Sequence, residues 1–205
     1  MQISLYCASR EHSEAKSPPL SLAALLLLGS VACTPVVDEA VSQPSSHDSA
    51  ALVTLPDFTI HPLPEEGPLS VFRPDMAKYT EVFGVHIVAS RKTKDKKIHH
   101  AARVLAEWLD NNEDGTPDNP MVLKALQEGG AFLIMVSQER DMRRLDLEFE
   151  VVEEAGFFIG QDLYGEETLP KNPPHVQERG RFDATIEEVL HLVSTGYTEA
   201  YPPAF

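Results

Sequence analysis

Asp110, Asn112, Asp114 and Asp118 place oxygen-bearing side chains at alternating positions of one short run, with Gly115 between the third and the fourth. Carboxylate and amide oxygens spaced in this way can wrap a single hard cation. Glycine permits the sharp turn that brings them round it. Calcium suits such a run better than magnesium, because the run offers many anionic oxygens in a flexible frame, whereas Mg²⁺ keeps most of its waters. The chemistry written here is that of holding an ion rather than that of a reaction.

A second constellation lies in Thr185-Ile-Glu-Glu-Val-Leu-His191-Leu. On a helix, Glu187 and Glu188 stand four and three residues before His191, so both carboxylates can share a face with the imidazole. Glu-Glu-x-x-His resembles the zincin motif H-E-x-x-H, with Glu187 in place of its first histidine. The resemblance implies Glu187 and His191 as zinc ligands and Glu188 as the general base acting on a metal-bound water. No compact third ligand follows, and Glu199 is the last acidic residue of the chain. A plainer reading takes Thr185-x-x-Glu188 as a capping box, with Glu187 favoured near the positive helix end and His191 as its ordinary partner. The plainer reading is preferred, since the helical motif is short and has lost a diagnostic ligand. His99 and His100 supply further imidazoles. His99 is expected at a core edge and His100 in solvent, and either one facing His191 would complete a zinc site.

Helices must flank the Asp-rich run to position it. Ile98, Ala101, Ala102, Leu105, Trp108 and Leu109 recur at helical spacing and predict an amphipathic helix over 95–109. Pro120 opens a second helix, capped by Asp118 or Asn119, that runs through Met121, Val122, Ala125 and Leu126 to Gly129-Gly130. This helix–loop–helix over residues 95–129 resembles an EF-hand. On that pattern Asp110, Asn112 and Asp114 donate side-chain oxygens, Thr116 its backbone carbonyl, and Asp118 an oxygen directly or through water. Met121 stands where an EF-hand has its bidentate glutamate, and Pro117 replaces an apolar loop position. The loop therefore comes closer to the shorter acidic loops of dockerin and thrombospondin type 3 repeats. Other elements are read as strands at Glu81–Ala89, Ala131–Val136 and Phe157–Ile159, a polar stretch to Arg144, a loop at Asn172–His175, and a last helix at Ala184–Tyr197. The class is α+β (or α/β), with short buried strands in a single domain.

The 205 residues suffice for one domain with a leader and a tail. Seventeen basic against 32 acidic residues leave a net charge of -15, which repels phosphate backbones and argues against nucleic-acid binding. Leu20–Leu28 is an apolar run too short to span a bilayer, and it is followed by the small residues Ser30 and Ala32. Residues 1–32 therefore read as a signal peptide. Cys33 at the first mature position resembles a bacterial lipobox and implies a lipid anchor, the sole expected contact with a membrane. Cys7 and Cys33 are the only cysteines, so no disulfide framework supports the fold. Residues 33–68 are rich in Pro, Ser and acidic side chains and are expected to be a disordered linker before a globular domain over 69–205. Tyr201–Phe205 follows so soon after a helix that a C-terminally truncated domain is expected. The string from Val88 to Tyr201 is similar to an uncharacterised family of secreted bacterial and eukaryotic proteins. The expected setting is extracytoplasmic, a metal ion is the implied partner, and the sequence identifies no protein partner.

Overall fold

The computed structural model describes residues 5–6, 58–170 and 182–203. Strand β3 (Met76–Val82) turns back into β4 (Val85–Ser90) through Phe83 and Gly84, whose φ angles are 50° and 83°. Two consecutive positive φ angles give a tight hairpin whose twist matches that of its strands. The single strand expected over Glu81–Ala89 is therefore two. Phe83 is a strand-favouring residue sitting in the turn, and it hid the break.

Chain order then alternates helices and strands. Helix α1 (Asp95–Leu109), the Asp-rich loop and α2 (Pro120–Glu128) carry the chain from β4 to β5 (Phe132–Val136), which runs parallel to β4. The short helices α3 (Glu139–Met142) and α4 (Phe149–Glu154) lead to β6 (Ile159–Tyr164), parallel to β5. Two short strands complete the mixed sheet: β1 (Leu5–Tyr6) antiparallel to β6, and β2 (His61–Pro62) antiparallel to β3. The order is β1-β6-β5-β4-β3-β2. The last helix, α5, spans Ala184–Ala200.

Strand β5 is buried along its whole length, which is why it reads as a continuous apolar run rather than an alternating one. Leu133 and Met135 face a core built with α1, α2 and α5, while Phe132, Ile134 and Val136 face a second core. That second core is closed by Phe72 of the 3₁₀ helix Pro68–Phe72, Met142 of α3 and Val152 of α4. Helices thus cover both faces of the sheet, and the α+β class expected from the sequence is what the chain forms.

Three sequence expectations change. Packed structure begins ahead of Leu69: His61 and Pro62 pair with Tyr79 and Lys78, and Leu63 is buried. Proline is tolerated on an edge strand, so a Pro-rich composition concealed one. Trp108 is 41% exposed rather than in the core, because it sits at the margin of the α1 stripe. Strand β6 runs to Tyr164, well past Ile159; its polar Gln161 and Asp162 masked it. The apolar run Leu20–Leu28, both cysteines, the linker up to residue 57 and the Asn172–His175 loop lie outside the described residues. No described helix is long and apolar enough to cross a membrane.

Candidate functional site: the Asp-rich loop and the α5 carboxylates

Helix α1 ends by dipping Asp110 into the protein. Its backbone N–H still reaches Ala106 O at 2.8 Å, and the residue is only 4% exposed. Its carboxylate then organises the loop, with Oδ1 accepting Asp114 N–H at 3.1 Å and Oδ2 accepting Gly115 N–H at 2.8 Å. Asn112 Oδ1 accepts the same Asp114 N–H at 3.1 Å, and Asp114 Oδ1 accepts Thr116 N–H at 2.8 Å. Asn112 Nδ2 donates to Asp114 Oδ2 at 3.1 Å. Asp118 closes the loop on the first helix, its N–H donating to Leu109 O at 2.8 Å and its Oδ2 accepting Asn111 N–H at 2.9 Å. Gly115 (φ 83°) and Glu113 (φ 57°) take the left-handed turns this path requires.

The loop is therefore a nest of Asx turns, and its side chains already serve backbone donors. Each accepting carboxylate oxygen keeps a second lone pair, so the donor set remains one of hard oxygens. Asn112, Asp114, Thr116 and Asp118 are exposed around the buried Asp110. Among the described residues, no three His, Cys, Asp or Glu side chains converge closely enough to hold a metal ion. Of the two candidate caps for α2, Asn119 is the one used; its Oδ1 accepts Met121 and Val122 N–H, both at 3.2 Å.

Helix α5 starts differently from the expected capping box. Asp183 is the N-cap, with Oδ1 accepting Thr185 N–H at 3.2 Å and Leu169 N–H at 3.1 Å. Thr185 lies inside the helix, fully buried. Glu188 makes no capping contact. His100, expected in solvent, is instead partly buried, and its Nε2 lies 2.7 Å from Asp183 Oδ2. Burial alone would raise the Asp183 carboxyl. Hydrogen bonds from His100, Thr185 and Leu169, with the imidazole's charge, outweigh it and hold the group at about 2.

The carboxylates of the zincin-like motif part company. Glu187 Oε1 and His191 Nε2 stand 3.8 Å apart on the solvent side, each about half exposed. Glu188 turns to the sheet, where Gln161 Nε2 donates to its Oε2 at 2.5 Å. Neither His99 nor His100 forms a metal-competent cluster with His191 and Glu187, and His100 is committed to Asp183. Sequence reading missed the residues that Glu188 meets. Gln161 and Asp162 are both buried on β6, and Asp162 accepts a hydrogen bond from the Tyr164 hydroxyl. The available signal was the polar pair Gln161-Asp162 inside an otherwise apolar strand.

The acids of this patch respond to burial and to one another. Burial, then the nearby Asp162 charge, pushes the Glu188 carboxyl above its ordinary value, against the opposing pull of His191 and Gln161. Burial also raises Glu167, helped by Glu166 and Asp162, and raises the Tyr164 phenol, helped by its bond to Asp162. The folded state thus holds the Glu188 proton more tightly than the unfolded chain does, and stability falls as pH rises past the ordinary glutamate value. Glu188→Gln keeps the shape and removes that charge. Its melting temperature is expected to exceed the parent's at pH 7, the gap closing below about pH 4. A lower melting temperature for Glu188→Gln at both pH values would show the carboxylate to be stabilising.

No protein-family model, no curated protein and no solved structure matches the chain.

Proposed function

We propose that this is an exported, acidic calcium-binding protein in which the Asp110–Asp118 loop staples α1 to α2. The observation that carries this reading is the inward-turned Asp110 carboxylate at the helix junction, with Asn112, Asp114 and Asp118 arrayed about Gly115. Asp110, Asn112, Asp114 and Asp118 would supply side-chain oxygens and Thr116 its carbonyl, and Ca²⁺ would add neutralisation of a strongly acidic segment. Met121 is an exposed apolar side chain where a bidentate glutamate would strengthen binding, so the site should be weak. A dissociation constant of about 10⁻⁴–10⁻³ M suits extracellular modules. A leader over 1–32, with lipidation at Cys33, would deliver the domain to a calcium-rich setting, and its cleavage would remove β1 from the edge of the sheet beside β6. Binding there would fix the angle between two core helices, which makes the loop a staple rather than a sensor.

Millimolar Ca²⁺ is expected to raise the melting temperature, since an ion at free concentration c that binds only the folded state stabilises it by RT ln(1 + c/Kd). Asp114→Ala should abolish the rise. An unchanged melting temperature for the parent chain in millimolar Ca²⁺ would end this reading.

A second reading rests on Glu188. A carboxyl raised by burial beside a solvent-facing Glu187–His191 pair has the properties of a general base near a two-ligand Zn²⁺ site, as in a zincin-like metallohydrolase or an inactive remnant of one. It requires stoichiometric zinc in the purified protein and chelator-sensitive peptide cleavage that Glu188→Gln eliminates. Protein that takes up no added zinc removes it.

A further inference from the structure

The chain carries 15 excess negative charges, yet one concavity of about 630 Å³ is walled by cations. It lies where β3 begins and β4 ends, lined by Arg73, Lys78 and Arg91, with Asp95 the one acidic residue among its described lining. Asp95 is already spent. Lys78 Nζ sits 2.5 Å from Asp95 Oδ1 and also donates to Thr93 O at 2.6 Å. Arg73, just after the 3₁₀ helix, donates Nη1 to Leu63 O at 3.1 Å at the wall of the cavity. Its other neighbour is Glu65, 3.8 Å away on a side chain 89% exposed, a contact worth little in water. The Arg91 side chain makes no hydrogen bond or ion pair with any described residue. The floor is apolar, with Leu63 and Met76 both buried.

The fold brings two exposed guanidinium groups to one hollow, Arg73 with only a loose ion pair to Glu65 and Arg91 with no ion pair among the described residues. Guanidinium forks match the oxygens of phosphate in a bidentate manner, whereas Lys78 is committed to Asp95 and Thr93 O. The hollow lies at the edge of the sheet, where β2 and the start of β3 meet Arg91 just past the end of β4. We propose that this concavity is a binding site for a phosphate-bearing anion, with Arg73 and Arg91 gripping its oxygens. The site is independent of the Asp-rich loop. Its ligand is either a free phosphorylated small molecule or the headgroup of an anionic phospholipid, which share the chemistry that these residues read.

The test is a titration of the full chain with inorganic phosphate at constant ionic strength, followed by amide NMR. Saturable shifts are expected at Leu63, Ala77 and Arg91. Arg73→Gln and Arg91→Gln should each weaken binding about tenfold, the equivalent of 1.4 kcal/mol. Lys124→Gln, on an exposed lysine of α2, should leave it unchanged. Thermal melts establish that the variants fold. In a second arm, the chain is sedimented with phosphatidylcholine vesicles with and without phosphatidylglycerol. Capture only by the anionic vesicles, lost in Arg91→Gln, identifies a headgroup; saturable phosphate binding without capture identifies a free ligand. Linear, non-saturating shifts that persist in both arginine variants, with no Arg91-dependent capture, overturn the proposal.

Discussion

Asp183→Ala is expected to destabilise the protein by about 3 kcal/mol, read as a fall in the urea midpoint at pH 7. One carboxylate caps α5, satisfies Leu169 N–H and holds His100 of α1, so its loss strands three donors at a buried junction. Asp183→Asn keeps an acceptor for the cap and should lose roughly half as much, within the range for a single charged hydrogen bond. The same carboxylate sets an acid limit. Its folded value of about 2 lies below the ordinary 3.8, so its contribution is complete above pH 4 and disappears as pH falls toward 2. The parent chain should therefore lose stability across that window more steeply than Asp183→Asn. Equal slopes for the two chains would assign acid unfolding to other carboxylates, and an Asp183→Ala midpoint matching the parent's would deny the junction its role.

Gly130→Ala should cost still more, about 4 kcal/mol or greater, because two penalties fall on one atom. Gly130 has φ +55°, and a Cβ there would lie 2.0 Å from Gly156 O and 2.9 Å from Gly156 C. Those are backbone atoms of the turn into β6, which is itself bonded to the turn before β5 through Phe158 N–H to Gly129 O at 2.9 Å. Neither side can yield without separating β5 from β6 at their parallel start. Gly156→Ala provides the control: φ is +96° but nothing stands within 4 Å of the new methyl, leaving a backbone penalty of about 1–2 kcal/mol. Denaturant midpoints for the two variants should be well separated. Equal losses would mean that the left-handed conformation, and not the close approach, makes glycine necessary at 130.

The helix–loop–helix was legible because its causes are local. Ile98, Ala101, Ala102, Leu105 and Leu109 repeat at helical spacing, Pro120 and Asn119 mark a helix start, and Gly115 permits the turn, all within a short stretch of chain. Strand β5 was legible from its unbroken apolar run. Strand β2 was not, since Pro62 contributes to an edge only because β3 lies beside it. The Phe83–Gly84 turn was missed for a similar reason, as Phe83 prefers a strand until hairpin pairing forces it to a positive φ.

The α5 motif divides most clearly. Sequence spacing alone determined that Glu187 and His191 would be neighbours, because a helix repeats every 3.6 residues. The folding of Asp110, Asn112 and Asp114 over their own backbone is local as well, because Asx side chains reach donors two to five residues ahead, although the sequence was read there for an ion. What each carboxylate does beyond its own turn was decided only by packing. Asp183 meets His100 from 83 residues away, and Glu188 meets Gln161 from 27 residues away. Those distances close only when α1, α5 and β6 share a core, and the burial that closes them also sets the charges. Local spacing named the groups, and the low-dielectric interior assigned their roles.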